Sequence, residues 1–178
     1  MQSTLTLDDL IALGRSRWAL PLLADLAAHR GARFVELVHR LGMPRDSLAR
    51  TLASAIDSGW VMRSSGHGHP LRPEYLLTDE GVRLAAGSLA ISRAQMELGL
   101  APGSLTRWGM PLILAIGSRP ARFNELTRRL APATPRAISQ GLLTLTANVL
   151  VERELIDHRP PATRYRLTPS GVILAQAT

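Results

Sequence analysis

The side chains best equipped for chemistry in this chain are its arginines. All 21 basic residues are Arg, with no Lys, against 14 carboxylates, which leaves a net charge of +7 and a sequence pI of about 11.4. Guanidinium groups fork phosphates and guanine edges bidentately. Such an excess favours a polyanionic partner, nucleic acid first and an acidic membrane surface second. GC-rich codon usage suffices to explain why Lys is missing, but the charge is informative either way. The other candidates are weaker. His67-Gly68-His69 and Asp157-His158 fall short of the ligand number a metal needs, so no metal site is expected. Gly14-Arg15-Ser16 is far from a phosphate-binding fingerprint. No Ser/His/Asp spacing or paired-carboxylate arrangement stands out, so neither an enzyme nor a cofactor is expected. Cysteine is absent, which removes disulfides, thiolate zinc sites and thiol redox sensing. Three tryptophans, Trp18, Trp60 and Trp108, could stack a flat aromatic effector in an apolar pocket. For Trp18 and Trp108, packing in the core is the stronger reading; Trp60 is the better ligand candidate.

These residues must be positioned by short elements. Leu5 to Leu13 forms an apolar-periodic segment with Asp8 and Asp9 in its first turn, where carboxylates suit the positive helix end. A break after Arg17 lets Pro21 sit in the first turn of a helix reaching His29, with Trp18, Leu22, Leu23 and Leu26 on one stripe and Gly31 ending it. A helix from about Phe34 to Leu41 turns inward Phe34, Leu37, Val38 and Leu41. Gly42-Met43-Pro44 makes the turn into a helix from Arg45 to Asp57. Its inner face is Leu48, Leu52, Ala55 and Ile56; its outer face carries Asp46, Ser47, Arg50, Ala53 and Ser54. A hairpin follows, with strands at Trp60–Arg63 and Glu74–Leu77, and Thr78 caps the next helix. Val82 to Leu98 is a long amphipathic candidate, with Leu84, Leu89, Ile91, Met96 and Leu98 as its apolar side, broken up by Gly87, sparsely charged and suited to packing against protein.

Ninety positions on, the pattern returns. Arg17-Trp18 with Pro21-Leu22 recurs as Arg107-Trp108 with Pro111-Leu112, and Gly81-Val82 as Gly171-Val172. From Leu48/Ile138 through Arg63/Arg153 to Tyr75/Tyr165 the halves align without gaps. A repeat of this length is a duplicated domain, not a solenoid unit. The boundary falls at Ala101-Pro102-Gly103-Ser104, giving residues 1–100 and 101–178. The fold class is mostly α with small β-hairpin wings: two winged helix-turn-helix domains in tandem.

At Arg17-Trp18, Arg33-Phe34-x-Glu36-Leu37, Gly59-Trp60-Val61-x-Arg63 and Pro73-Glu74-Tyr75-x-Leu77-Thr78-x-x-Gly81, the chain resembles the HxlR family of bacterial winged-helix regulators. The second half matches through Arg107-Trp108, Arg122-Phe123-x-Glu125-Leu126, Ile138-Ser139-Gln140, Val149-Leu150-Val151-x-Arg153 and Arg164-Tyr165-x-Leu167-Thr168-x-x-Gly171. The resemblance implies a transcription regulator that binds double-stranded DNA, whose members usually carry one such domain and act as homodimers. Fusing two copies makes this chain look like a single-chain pseudo-dimer. The second helix of each helix-turn-helix is then expected in the major groove, with the wing on backbone or minor groove. In the first half that places Arg45, Ser47, Arg50 and Ser54 on the helix, and Arg63, His67, His69 and Arg72 on the wing. In the second it places Arg136, Gln140 and Thr144 on the helix, with Arg153 and Arg159 on the wing. Gln140 could read adenine and Leu143 could meet a thymine methyl. Yet Leu143, followed by Asn148-Val149-Leu150-Val151, equally suits a face that meets protein or ligand. DNA is therefore expected first at the first copy.

A cytoplasmic protein is the natural expectation, since no apolar run could span a bilayer and the N-terminus lacks a secretory pattern. Two rivals stand beside the regulator: a protein that binds an aromatic metabolite between the domains, and a protein-interaction module using the apolar second face. Dimerisation through Val82–Leu98 would bring together four winged helices.

Overall fold

The computed structural model describes residues 5–65, 73–156 and 162–178. In chain order the first half runs α1 (Leu7–Leu13), α2 (Ala19–His29), β1 (Ala32–Arg33), α3 (Phe34–Leu41), α4 (Arg45–Asp57), β2 (Val61–Ser64), β3 (Glu74–Leu77) and α5 (Asp79–Glu97). The second half repeats the order from α2 onward: α6 (Gly109–Ile116), β4 (Ala121–Arg122), α7 (Phe123–Arg129), α8 (Pro135–Ala147), β5 (Val151–Ile156), β6 (Ala162–Leu167) and α9 (Pro169–Gln176). The fold is thus mostly helical with two small antiparallel sheets, as the sequence indicates.

Each sheet has three strands, ordered β1-β3-β2 and β4-β6-β5. The registers match: Val61 pairs Leu77 and Arg63 pairs Tyr75 in one, Val151 pairs Leu167 and Arg153 pairs Tyr165 in the other. The two-residue strands β1 and β4 are additional to the expected hairpins. They tie the start of the helix-turn-helix to the wing, with Ala32 opposite Tyr75 and Ala121 opposite Tyr165.

Local sequence explains the joints. The backbone N–H of Arg33 donates to Glu36 Oε2 at 2.7 Å and that of Arg122 to Glu125 Oε2 at 3.1 Å. This return by the third helical residue satisfies a donor that the helix leaves free. Thr134 caps α8, its Oγ1 accepting from the N–H of Ala137 at 3.2 Å. The repeated Thr-x-x-Gly works the same way twice. Thr78 Oγ1 accepts from Gly81 N–H at 3.0 Å and donates to the Gly59 carbonyl at 2.6 Å. Thr168 Oγ1 does so with Gly171 at 3.1 Å and Val149 at 2.6 Å. A Cβ on Gly81 would run into the carbonyl oxygen of Trp60, and one on Gly171 into that of Leu150. Glycine alone lets these helices start so close to the turns that follow α4 and α8.

Four expectations need correction. Helix α5 is continuous over 19 residues and is not broken at Gly87; a Cβ there would meet the side chain of buried Leu5, so this glycine admits the chain segment that leads into α1. Met96 faces out, 65% exposed, and the inner face of α5 is instead Leu84, Ala85, Ser88, Ile91 and Ala94. Ile56 is 38% exposed, and Thr51 takes a buried place on α4, donating to the Ser47 carbonyl at 2.8 Å. The left-handed turn after α2 falls first on Arg30, at φ 58°, ahead of Gly31 at φ 119°.

The expected boundary lies between α5 and α6, yet a single apolar cluster runs from Leu5 to Leu174 through both halves. Helix α1 packs on α6 and α5 on α9, and a Cβ on Gly14 would collide with the carbonyl oxygen of Arg107. Within the first half Arg83 of α5 ties down α1, with Nη2 2.7 Å from Asp9 Oδ1 and 2.7 Å from Glu80 Oε1.

Candidate nucleic-acid interface

Helix α4 holds its inner face with Leu48 and Leu52, both nearly inaccessible. That anchoring fixes which side chains turn outward. Arg45, Arg50 and Ser54 are exposed and Ser47 is half-buried. Arg50 Nη2 lies 3.5 Å from Ser47 Oγ, a contact at the weak limit, so its guanidinium stays available. Arg45 is not free: its Cζ sits 5.4 Å over the Phe34 ring, an orienting cation–π contact across the turn. Arg63 projects from β2 and is exposed. His67, His69 and Arg72 lie outside the described residues.

On α8, Arg136 and Gln140 are exposed. Thr144 is half-buried and returns its hydroxyl to the Gln140 carbonyl at 3.1 Å, so its donor is occupied within the helix. Leu143 stands 65% exposed. Arg153 is exposed on β5, reaching Thr163 Oγ1 at 3.4 Å. Arg159, Asp157 and His158 lie outside the described residues. The second outer face is therefore as apolar as its sequence indicates. Val149, 67% exposed, adds to it with φ 56°, a left-handed conformation in the place where the first half has Gly59 at φ 72°.

Trp108 is buried in the core, Trp18 and Trp60 pack against it half-covered, and Arg17 and Arg107 lie 5.1 and 5.3 Å over Trp18 and Trp108. The space between α1, α2 and α6, where the halves meet, is a cavity of about 30 Å³. That suits one water and no aromatic metabolite. The roomier groove, about 490 Å³, lies within the first half between α2, β3 and α5, lined by Leu26, Leu77, Val82 and Ala85 with Arg30 at its edge. No tryptophan lines either space. Among the described residues no group of His, Cys, Asp or Glu could hold a metal, and no helix is long and apolar enough to cross a membrane.

Electrostatically the first half spends several arginines on internal pairs. Arg40 Nη2 meets Asp25 Oδ2 at 2.7 Å, which raises the guanidinium pKa further. The Arg83 hydrogen bond holds the Asp9 carboxyl at about 2 and also lowers that of Glu80. Arg33 Nε lies 3.5 Å from Glu74 Oε1. In the second half the described pairing is Arg166 with Glu152, at 2.9 Å. Several arginines outside the expected set, among them Arg119, Arg122, Arg128 and Arg164, stand exposed.

Comparison with known proteins agrees with this architecture. The HxlR-like helix-turn-helix family matches twice, over residues 13–96 and 105–177. The HTH-type transcriptional regulator YtfH of Escherichia coli is 29% identical over 66 residues, which is 37% of this chain and 52% of YtfH. YodB of Bacillus subtilis, also an HTH-type transcriptional regulator, is 29% identical over 68 residues, 38% of this chain and 61% of YodB. The matched stretch thus spans little more than half the length of these relatives. Among solved structures, one described as a MarR-family regulator from Porphyromonas gingivalis covers 46% of this chain and 74% of its own, at 25% identity and a TM-score of 0.38. Two family matches that together span most of the residues, each falling on one helix-turn-helix and its wing, place this chain in the HxlR-like helix-turn-helix family.

Proposed function

We propose that the protein is a DNA-binding transcriptional regulator whose two winged helix-turn-helix units act as a single-chain pseudo-dimer. The observation that carries this reading is the outward face of α4. Arg50 and Ser54 stand exposed on a helix anchored by Leu48 and Leu52, with exposed Arg63 on the adjoining wing. The apolar core shared by both halves supports a fixed spacing between the two units without a second chain. Half-sites would then lie about one helical turn, roughly 34–36 Å, apart. They would differ in sequence, because Arg50 and Ser54 are replaced by Gln140 and Thr144.

The experiment is a mobility-shift selection on fragments of the source genome at about 50 and 200 mM salt, since phosphate-dominated binding weakens steeply across that range. Retardation that fades with salt supports the regulator. Failure to retard any fragment at the lower salt sinks it. Arg50→Ala is expected to weaken operator binding by about 1–3 kcal/mol, and unchanged affinity would show that Arg50 makes no contact. The small-molecule alternative is favoured by the apolar groove of about 490 Å³ beside Arg30. Saturable heat on titrating apolar carboxylates, abolished by Val82→Arg, would support it.

A further inference from the structure

We infer that the two halves divide the work of binding: the second anchors the DNA backbone, and the first supplies most of the base reading through α4. This rests on the DNA-binding reading above. The excess charge is unevenly placed. Residues 1–100 hold eleven arginines against ten carboxylates, whereas residues 101–178 hold ten against four. The first half is therefore close to neutral, and nearly all of the net positive charge sits in the second. The recognition helices repeat the contrast. Helix α4 balances Arg45 and Arg50 with Asp46 and Asp57, while α8 carries Arg136 and no acid.

The sheets show how the difference is built. Arg33 and Glu74 are register partners on β1 and β3 and lie within ion-pair distance. At the corresponding positions the second sheet sets Arg122 opposite Arg164. Two like charges directly across a ladder oppose the pairing. Glu154 is the partner of Arg164 on the far strand, yet neither arginine is in an ion pair among the described residues, and all three side chains are exposed. The row keeps one uncompensated positive charge where the first half is neutral. Arg128, exposed in the last turn of α7, adds another. A polyanion laid across the Arg122–Arg164 row relieves the repulsion that the fold itself leaves standing. On the outer face of α8 Leu143 is exposed and Thr144 bonds back into its own helix, which leaves Gln140 and Arg136 to meet bases where α4 offers Arg45, Arg50 and Ser54. Phosphate contacts set register and affinity without sequence information, and base contacts specify; here the two roles fall on different copies of one domain.

The test uses the full chain, fluorescence anisotropy, a duplex selected from the source genome and an unrelated duplex, across about 50–200 mM salt. Removing one arginine–phosphate pair should take about 0.9 from the slope of log K against log salt, or about 3.5-fold over that fourfold range. Arg122→Gln/Arg128→Gln/Arg164→Gln is expected to flatten the slope by up to about 2.7 and to weaken both duplexes alike. Arg50→Gln/Ser54→Ala should change the slope by less than about one while narrowing the preference for the selected duplex. Glu154→Ser/Arg164→Glu guards against a folding artefact. It rebuilds the Arg33–Glu74–Ser64 row of the first sheet, so it should melt no lower than wild type and still bind both duplexes more weakly. A wild-type slope in the triple variant, or an equal flattening in the α4 variant, overturns the division of labour with DNA binding intact. A wild-type chain that binds neither duplex at low salt fails the regulator reading itself, and this inference with it.

Discussion

Gly81 and Gly171 give the most demanding test of how the recognition helices are held. Each opens a helix that is pressed against the carbonyl of the residue leading out of a recognition helix, Trp60 after α4 and Leu150 after α8. Replacing either with Ala puts a methyl where a backbone oxygen already lies, and a carbonyl, unlike a side-chain tip, cannot rotate away. The helix must shift, at an overpacking cost of about 1–3 kcal/mol. The shift also loosens the Thr78 or Thr168 cap and its 2.6 Å bond to the preceding turn, worth about 1 kcal/mol more. The total is about 2–4 kcal/mol, or about 4–16 °C in melting temperature for a chain of this size. Gly42→Ala is the control. It sits at a helix end, at φ 59°, but its Cβ would meet nothing within 4 Å, leaving only the left-handed backbone cost of about 1–2 kcal/mol. Urea and thermal unfolding followed by far-ultraviolet circular dichroism measure all three. If Gly81→Ala and Gly171→Ala cost no more than Gly42→Ala, close approach is not what these positions require. Because Trp60 continues directly from α4, Gly81→Ala should also weaken DNA binding at temperatures where the variant is fully folded.

Three further outcomes follow from the same geometry. Asp9, held at about 2 by Arg83, has its folded pKa below the unfolded value; its contribution, about 1–2 kcal/mol after solvent screening, is present above about pH 4 and lost as pH falls toward 2. Asp9→Asn should therefore remove that part of the acid limb in urea titrations, and an unaltered limb would mean that the pair contributes nothing. Val149→Asn, placing a residue tolerant of the left-handed region at φ 56°, should raise stability by about 0.5–1 kcal/mol, read as a higher urea midpoint at unchanged slope; a lower midpoint would refute the strain. Gly87→Ala should cost about 1–3 kcal/mol through the clash with Leu5. A double-mutant cycle with Leu5→Ala should recover much of it, and strict additivity would show that the two do not touch.

The duplicated order of elements is legible in the sequence because punctuation and periodicity agree there. Pro44 before Arg45 and Ser58-Gly59 after Asp57 bracket α4 to the residue, and its outer face follows from the spacing of Leu48 and Leu52. What periodicity cannot carry is packing between segments far apart in the chain. Gly87 reads locally as a helix breaker, and only the presence of Leu5 against it shows why a side chain is missing there. Strands β1 and β4 have two residues each, too few for any alternation to register. That limit matters most for the charges. Glu74 and Arg164 hold the same place in the repeat, so the reversal is visible once the halves are aligned. Its meaning is not, because nothing in the sequence sets Arg33 opposite Glu74 or Arg122 opposite Arg164. Only the register of β1 on β3 and of β4 on β6 turns one substitution into the difference between a closed ion pair and two facing arginines with one charge uncompensated. The polar face of α4 draws attention to the first half, whereas the second sheet is where a phosphate backbone would meet charge that the protein has not already neutralised.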